Sequence, residues 1–125
     1  MSAVKAEPGG RAGPAARDDY AGRLADAWSD QVIEVGNLRV DVFRLEADLG
    51  RGRVPLTRLE FLFLQELIRH AGRTVSKGQL LSAVWGYESD PGSNVVGVCV
   101  RRLRTKLGDQ LIKTIRGEGY QLGVS

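Results

Sequence analysis

The chain has 125 residues, of which 42% are hydrophobic and 26% are charged, and its formal net charge is +3 at pH 7. This length suits one domain with a single modest core and a tail, and this composition is typical of an ordinary soluble globular protein. Because no apolar run approaches the roughly 18 residues of a membrane-spanning helix, and the N-terminus lacks the apolar stretch of a secretory signal, we expect no membrane partner.

Residues 1–30 are predicted to form a tail before a single domain at residues 31–125. The first 19 residues are rich in Ala, Gly and Pro and have no hydrophobic period, which is typical of disorder. Three large apolar residues then follow at a spacing of four: Tyr20, Leu24 and Trp28. They give residues 20–28 the apolar stripe of a short helix, which either docks on the domain or serves only as a linker.

Residues 32–56 have the composition of β-structure. The segment opens with β-branched residues, and Gly36-Asn37 is a turn signal. Apolar and polar residues then alternate up to residue 42 with the period of a half-buried strand. A second apolar run at 43–49 ends at a Gly-Arg-Gly turn, and residues 54–56 close the segment. This pattern predicts three or four short antiparallel strands joined by tight turns.

Two helix starts with capping signals follow. Thr57 and Glu60 have the spacing of a capping box, which predicts a helix that ends near His70, before an Ala-Gly pair. Ser76 begins a second helix, which is expected to end at Gly86. In both cases apolar residues occupy the staple positions around the cap: Leu56 and Phe61, then Val75 and Leu80.

A third helix is predicted from about Asn94 to Leu107, where Gly108 stops it. At about 100° per residue, one narrow stripe of this helix is apolar and must face the core. That stripe consists of Val96, Val100, Leu103 and Leu107. The opposite side, which we expect to be exposed, carries Asn94, Val98, Arg101, Arg102 and Thr105.

The chain is predicted to close with a β-hairpin that turns at residues 117–119. Ile115 and Tyr120 can anchor this hairpin on the body of the domain. Arg116 would then lie at the projecting tip, where it is either free to bind a partner or paired with Glu118, and such an exposed pair is worth little in water.

The positive charge is concentrated in the C-terminal quarter, where residues 94–125 hold six basic and two acidic side chains. A local basic patch attracts polyanions because it displaces their condensed counterions, although a solvated helix face is the alternative. The exposed side of the third helix favours DNA, since an α-helix fits the major groove, arginine forms bidentate bonds to guanine and an exposed valine packs on the methyl group of thymine. Asn94 can bond a phosphate or an adenine.

The composition disfavours an enzyme. Cys99 and His70 are the only cysteine and histidine, so an intrachain disulfide is impossible and the residues of a usual zinc site or hydrolytic triad are missing. We therefore expect no catalytic residue, metal or cofactor, and a location in the reducing cytoplasm. Cys99 is expected to be a half-buried small apolar residue rather than a redox sensor, and His70 a helix-end residue favoured by the helix dipole.

Four sequence pieces occur in order with suitable spacing: LTRLEF at 56–61, VWG at 84–86, RRLRTKL at 101–107 and RGEGY at 116–120. Together they resemble the winged-helix DNA-binding domain of OmpR/PhoB-type response regulators over about residues 32–124. The resemblance implies an α+β fold, a winged helix-turn-helix with an N-terminal antiparallel sheet, three helices and a C-terminal β-hairpin wing. It also implies a sequence-specific regulator of transcription that binds double-stranded DNA, with helix 94–107 in the major groove and the wing around 113–120 in the minor groove.

The resemblance assigns roles to individual residues. Arg102 is expected at a base edge, Arg101 and Arg104 at phosphates, and Thr114 at a phosphate beside Arg116 in the minor groove. Arg104 lies near the core flank of its helix, so a structural ion pair is the alternative for this residue. The complete expected DNA-binding set is Asn94, Val98, Arg101, Arg102, Arg104, Thr105, Thr114 and Arg116.

The resemblance also implies partners besides DNA. The loop at 86–93 matches the activation loop of the family, which can touch RNA polymerase, and such domains commonly bind direct repeats as head-to-tail dimers. Family members usually carry a phosphorylated receiver domain and act in two-component phosphorelays. A length of 125 residues leaves no room for a receiver domain, so we expect either an excised domain or a stand-alone regulator that phosphorylation does not switch.

The chain departs from the family pattern at two positions of the third helix. Gly97 stands where Asp is common, and Cys99 stands where His or Tyr is common. Both positions bear on the DNA sequence that the helix would prefer. The alternative function is a winged-helix protein-interaction module that has lost specific DNA binding, with these two residues as signs of the loss.

Overall fold

The computed structural model describes residues 28–124 and confirms the predicted sheet, three helices and hairpin. An antiparallel sheet comes first, in the order β1-β2-β3-β4: Val32–Val35, Leu38–Asp41, Glu46–Asp48 and Arg53–Pro55. The helices are α1 (Arg58–Arg69), α2 (Lys77–Leu80), which continues as a π-helical segment (Leu81–Trp85), and α3 (Val95–Leu107). Strands β5 (Ile112–Ile115) and β6 (Gly119–Leu122) form the C-terminal hairpin, termed the wing below.

The predicted strand at 43–49 forms only from Glu46 onward, because residues 42–45 make a turn. The buried carboxylate of Asp41 accepts hydrogen bonds from the backbone N–H groups of Phe43 (3.1 Å) and Arg44 (2.9 Å). Leu45 completes the turn in the left-handed region, with φ of 55°. As a result, the side chain of Phe43 is 75% exposed instead of packing in the sheet.

Trp28 and Ser29, which the predicted boundary assigned to the tail, contact the sheet. The indole ring of Trp28 lies between the guanidinium groups of Arg39 and Arg53, each 4.7 Å from the ring centroid. The N–H and hydroxyl groups of Ser29 donate to the carboxylate of Asp41 at 2.7 and 2.6 Å. Apart from Trp28, the short helix predicted at 20–28 lies outside the described residues.

Both predicted helix caps are present. Thr57 Oγ1 accepts from the N–H group of Glu60 (3.1 Å), and Glu60 Oε1 accepts from the N–H group of Thr57 (2.9 Å), which completes the capping box. Ser76 Oγ accepts from the N–H group of Gln79 (3.1 Å). The second helical segment ends at Gly86 as predicted, with φ of 75°, but the π-helical geometry of its second half was not predicted.

A single hydrophobic core holds these elements together. The predicted stripe of α3 is buried throughout and packs in one cluster with α1 and the inner face of the sheet. Each fully buried leucine or phenylalanine in such a cluster contributes about 1.5–3 kcal/mol relative to an exposed one. In the described part of the chain, no helix combines the length and the hydropathy that a membrane crossing requires.

The wing is attached to the core through Val75 and Tyr120. Their backbone groups exchange two hydrogen bonds, at 2.7 and 2.9 Å, and the ring of Tyr120 packs edge-on against Phe63. Gly119 has to be glycine here, because a Cβ atom would meet the carbonyl oxygen of Val75 and φ is 150°. The position of the hairpin relative to the helices is therefore fixed at its base.

Candidate nucleic-acid interface

The exposed side of α3 carries two parallel stripes of residues. The first stripe consists of Asn94, Val98 and Arg102, which follow one another at a spacing of four. This stripe borders a groove of about 340 Å³, termed the apolar groove, which Leu59 and Trp85 also line. Val98 is 37% exposed, so its methyl groups are accessible from outside as the sequence predicted.

The second stripe consists of Gly97, Arg101 and Thr105 at the same spacing. It borders a cleft of about 260 Å³ between α3 and the wing, termed the helix–wing cleft, which Arg104 and Thr114 also line. The structure thus brings all the predicted residues of α3 to one side of the molecule, but divides them between a groove and a cleft. Helical periodicity alone did not reveal this division.

The cations at the front of this surface have no partner among residues 28–124. Arg101, Arg102 and Arg116 are exposed, and none of them forms a hydrogen bond or an ion pair with the described residues 28–124. The ion pair with Glu118 that was the alternative for Arg116 is therefore not formed within this range. The positive charge of the surface remains available to a polyanion.

Arg104 is different, because its guanidinium group is engaged with the wing. Its Nε and Nη2 atoms donate to the carbonyl oxygen of Ile112 at 3.2 and 2.8 Å, and Nη2 also donates to Thr114 Oγ1 at 2.9 Å. Both acceptors are uncharged, so these contacts are not the ion pair considered as its structural alternative. The side chain is half-buried.

Lys106 belongs to the same basic run, but it points away from the front surface. Its Nζ atom lies 2.6 Å from Glu60 Oε1 and 2.9 Å from the carbonyl oxygen of Pro55. Burial would raise the pKa of the Glu60 carboxyl, but hydrogen bonds from Lys106 and Thr57 outweigh burial and hold that pKa below 4.5. Lys106 is one of the six basic side chains in residues 94–125, but its position beside the buried stripe of α3 separates it from the exposed cations.

The two departures from the family pattern both lie against this surface. Cys99 is buried rather than half-buried, and burial together with the Glu60 carboxylate raises the pKa of its thiol to about 12. The thiol is therefore protonated at neutral pH, as expected for a packing residue. Gly97 leaves room for Asn94, because a Cβ atom on Gly97 would clash with the side-chain amide of Asn94.

His70 ends α1, as expected, and its ring belongs to a small polar cluster. Nε2 of His70 lies 3.2 Å from Glu66 Oε2 and 3.1 Å from Gln79 Nε2, so the cluster connects α1 with α2. Within residues 28–124, no three His, Cys, Asp or Glu side chains are grouped so that they could hold a metal ion.

The loop at 86–93 is exposed, and the side chain of Asp90 makes contacts within the loop and with α2. Asp90 accepts a hydrogen bond from the N–H group of Gly92 (2.8 Å) and pairs with Lys77 (3.1 Å), and these contacts lower its pKa. Tyr87 is largely exposed in the same loop. Trp85 precedes the loop and packs edge-on against Phe63, so this tryptophan belongs both to the core and to the apolar groove.

Comparisons with known proteins identify the family to which this fold belongs. The family described as "Transcriptional regulatory protein, C terminal" matches residues 50–122. Regulatory protein VanRB of Enterococcus faecalis is 45% identical over 69 residues, covering 55% of this chain and 31% of VanRB. Transcriptional regulatory protein PrrA of Mycobacterium tuberculosis is 40% identical over 98 residues, covering 75% of this chain and 42% of PrrA. The DNA-binding domain of RstA from Klebsiella pneumoniae, solved in complex with the RstA box, has a TM-score of 0.66 and 34% identity, covering 74% of this chain and 97% of that one.

The fold and these comparisons together define a winged-helix DNA-binding domain. The chain belongs to the family of OmpR/PhoB-type C-terminal domains of transcriptional regulatory proteins, whose function is sequence-specific DNA binding in transcription regulation. It spans 31% of the length of VanRB and 42% of the length of PrrA, less than half of each.

Proposed function

We propose that the chain recognises a specific double-stranded DNA site by placing α3 in the major groove and the tip of the wing in the minor groove. The observation that carries this proposal is the pair of stripes on α3. A fully buried apolar face fixes the helix to the body, and cations that have no partner in the described part of the chain lie on the opposite face. An α-helix presented in this way fits the width of the major groove.

Each residue of the front surface has a chemical role in the proposal. Arg102 forms a bidentate contact with a guanine edge, and Val98 packs on the methyl group of a thymine. Asn94, at the start of the same stripe, bonds a phosphate or an adenine. Arg101 and Thr105 contact backbone phosphates along the helix–wing cleft. Thr114 contacts a phosphate beside the minor groove, where Arg116 inserts.

The direct test is a selection of bound duplexes from a random pool with the full chain, followed by a salt titration on the selected duplex. We expect one sequence motif to be enriched. We also expect the logarithm of the association constant to fall linearly with the logarithm of salt concentration, by about 0.9 for each phosphate that is neutralised. Absence of any enriched motif, or binding that is indifferent to salt, would contradict the proposal.

The alternative, a protein-interaction module that has lost specific DNA binding, is favoured by one observation. The apolar groove beside Val98 also exposes Leu59, which is 44% accessible, and both could pack against an apolar partner. The Val98→Lys variant separates the two functions. If α3 reads bases, the variant should keep salt-dependent affinity for random DNA but lose the selected motif. If the groove serves a protein partner, the unaltered protein should select no motif, and the variant should differ from it only by the small gain in sequence-independent binding that one added positive charge brings.

The proposed function also includes protein partners and a cellular role. We propose that the exposed loop at 86–93 contacts RNA polymerase and that two copies bind direct repeats as a head-to-tail dimer. We further propose that the chain acts in the cytoplasm as the non-enzymatic output domain of a two-component phosphorelay. Support comes from the exposure of the loop and from relatives such as the response regulator PmrA of Pseudomonas aeruginosa. A duplex with two copies of the selected motif, spaced by one helical turn, should bind two chains cooperatively.

A further inference from the structure

We propose that Arg104 is a positioning residue, which clamps the wing to α3 and turns the hydroxyl group of Thr114 toward the DNA backbone. This inference rests on the proposed function. It differs from the expectation that Arg104 itself binds a phosphate, because three of the five N–H donors of its guanidinium group, those on Nε and Nη2, are engaged with the wing.

The geometry of the clamp involves two acceptors on one strand. Nε and Nη2 of Arg104 converge on the carbonyl oxygen of Ile112, and Nη2 also reaches Thr114 Oγ1, two residues further along β5. A planar guanidinium group holds its donors in a fixed arrangement, so contact with both acceptors fixes the position of β5 relative to the last turns of α3. The ammonium group of a lysine lacks this fork and could not reproduce it.

The clamp also determines what Thr114 can do. Arginine has donors only, so Oγ1 of Thr114 must be the acceptor in its bond with Arg104. The hydroxyl hydrogen of Thr114 is then free to donate to another acceptor. Thr114 is exposed and lines the helix–wing cleft together with Arg101 and Thr105, so this surface presents several donors to one entering group. A phosphodiester of the DNA backbone supplies the oxygen acceptors that such donors require.

The same clamp couples the two DNA-reading parts of the molecule. Arg116 lies two residues beyond Thr114, in the turn of the wing, whereas Arg102 lies on α3. The backbone bonds between Val75 and Tyr120 hold the wing from the β6 side, and Arg104 holds it from the β5 side. Without the clamp, the tip of the wing would no longer be placed relative to the helix, and the contribution of Arg116 to binding should decrease.

A double-mutant cycle tests the coupling between Arg104 and Arg116. It uses the full chain and a duplex that carries the motif selected by the unaltered protein between A·T-rich flanks. We expect Arg104→Ala to weaken DNA binding about tenfold. Adding Arg116→Ala to the Arg104→Ala variant should weaken binding by less than about twofold further, because contacts that act as a unit are not additive. Arg101→Ala combined with Arg116→Ala is the matched control and should be additive. Additive losses for Arg104→Ala and Arg116→Ala would overturn the proposal.

Two conservative variants distinguish a clamp from a phosphate-binding charge. Arg104→Lys retains the charge but loses the fork, so we expect its affinity for the duplex to fall about as far as that of Arg104→Ala. A lysine variant with unaltered affinity would show that only the charge is required and would overturn the clamp. Thr114→Val should weaken binding in the same way, whereas Thr114→Ser, which keeps the hydroxyl group, should restore it.

A measurement without DNA separates failure of the clamp from failure of the proposed function. Amide hydrogen exchange of residues 112–116 in the free protein should become at least several-fold faster in Arg104→Lys, with α1 unchanged. Faster exchange in a protein that binds no duplex would refute the DNA-binding proposal and, with it, the role of Thr114 toward DNA. Unchanged exchange in a protein that binds DNA normally would refute the clamp alone.

Discussion

Arginines occur both on the N-terminal sheet and on the front of α3 and the wing, and the two regions use them differently. On the sheet, Arg39 bonds Glu34 at 3.1 Å, Arg53 lies 3.7 Å from Glu46, and the indole ring of Trp28 separates the two guanidinium groups. On the front surface, no described acidic side chain pairs with the exposed arginines. Net charge therefore locates the interface only when the partners of each cation are known.

The difference has an energetic meaning. An exposed ion pair contributes about 0–1 kcal/mol to stability, so the pairs on the sheet mainly neutralise charge on that face. Unpaired cations on α3 keep their positive potential, and each can release a condensed counterion when it meets a phosphate. Lys106 is the informative intermediate case, because it lies on α3 but is paired with a buried carboxylate.

The largest loss of stability is expected from breaking the pair of Lys106 with the buried carboxylate of Glu60. Glu60→Ala would leave the Lys106 ammonium group without its carboxylate and would remove one half of the capping box. We expect the free energy of unfolding to fall by about 3 kcal/mol, as measured by urea denaturation. Glu34→Ala, which breaks an exposed pair on the sheet, is the matched control and should cost less than about 1 kcal/mol. Equal losses would show that burial does not distinguish the two pairs.

Because the fold depends on the ionised carboxyl group of Glu60, we expect the protein to lose stability in acid. The pKa of Glu60 in the folded protein lies below 4.5, so its carboxylate stabilises the fold at higher pH and this contribution is lost as pH falls through the lowered pKa. Asp41 acts in the same direction: burial opposes ionisation, but hydrogen bonds from Ser29 and the turn lower its pKa below 3.8. Urea unfolding from pH 7 to pH 3 should show a smaller decrease in stability for Glu60→Gln than for the unaltered protein. Parallel decreases would exclude Glu60 as a source of the acid sensitivity.

The next largest effect is expected at Arg102. If its guanidinium group reads a base edge, Arg102→Ala should weaken binding to the selected duplex by about 1–3 kcal/mol and weaken binding to random DNA much less. Fluorescence anisotropy with both duplexes measures the two losses. Arg39→Ala removes a partnered arginine from the sheet and should alter neither affinity. Equal losses on both duplexes for Arg102→Ala would reduce its role to neutralising a phosphate.

A smaller and more specific effect is expected at Arg116. Arg116→Ala should lower the slope of the salt dependence by about one phosphate equivalent and should remove the preference for A·T flanks, where the minor groove is narrow. The measurement is a salt titration of both proteins on duplexes with A·T or G·C flanks. If neither the slope nor the flank preference changed, Arg116 would be only a solvated charge.

Local signals in the sequence predicted the fold well, and distant contacts explain what was missed. The capping box at Thr57 and the apolar stripe of α3 depend on residues three or four apart, which a sequence displays directly. The turn after Asp41 was missed because Asp41 occupies a polar position of the alternating strand pattern, and its additional bond from Ser29, twelve residues away, is not visible in a local pattern. Lys106 is likewise oriented by Glu60, 46 residues away, a contact that no local pattern encodes.

The smallest expected effect is a change in the free energy of unfolding when Gly97 is replaced. Glycine inside a helix costs about 1 kcal/mol relative to alanine, so Gly97→Ala should raise the free energy of unfolding by up to that amount. The new methyl group would meet the side-chain amide of Asn94, but Asn94 is exposed, so its amide can move without strain on the backbone.

Gly78→Ala is the matched control for Gly97→Ala, because a Cβ atom at Gly78 meets nothing within 4 Å. Both variants should gain stability in thermal unfolding, but only Gly97→Ala should change the motif selected from random DNA, since it moves Asn94. Loss of stability at Gly97 alone would mean that the fold needs the Asn94 amide where it lies. An unchanged motif would remove Asn94 from the reading surface and leave Val98 and Arg102 to determine specificity along that stripe.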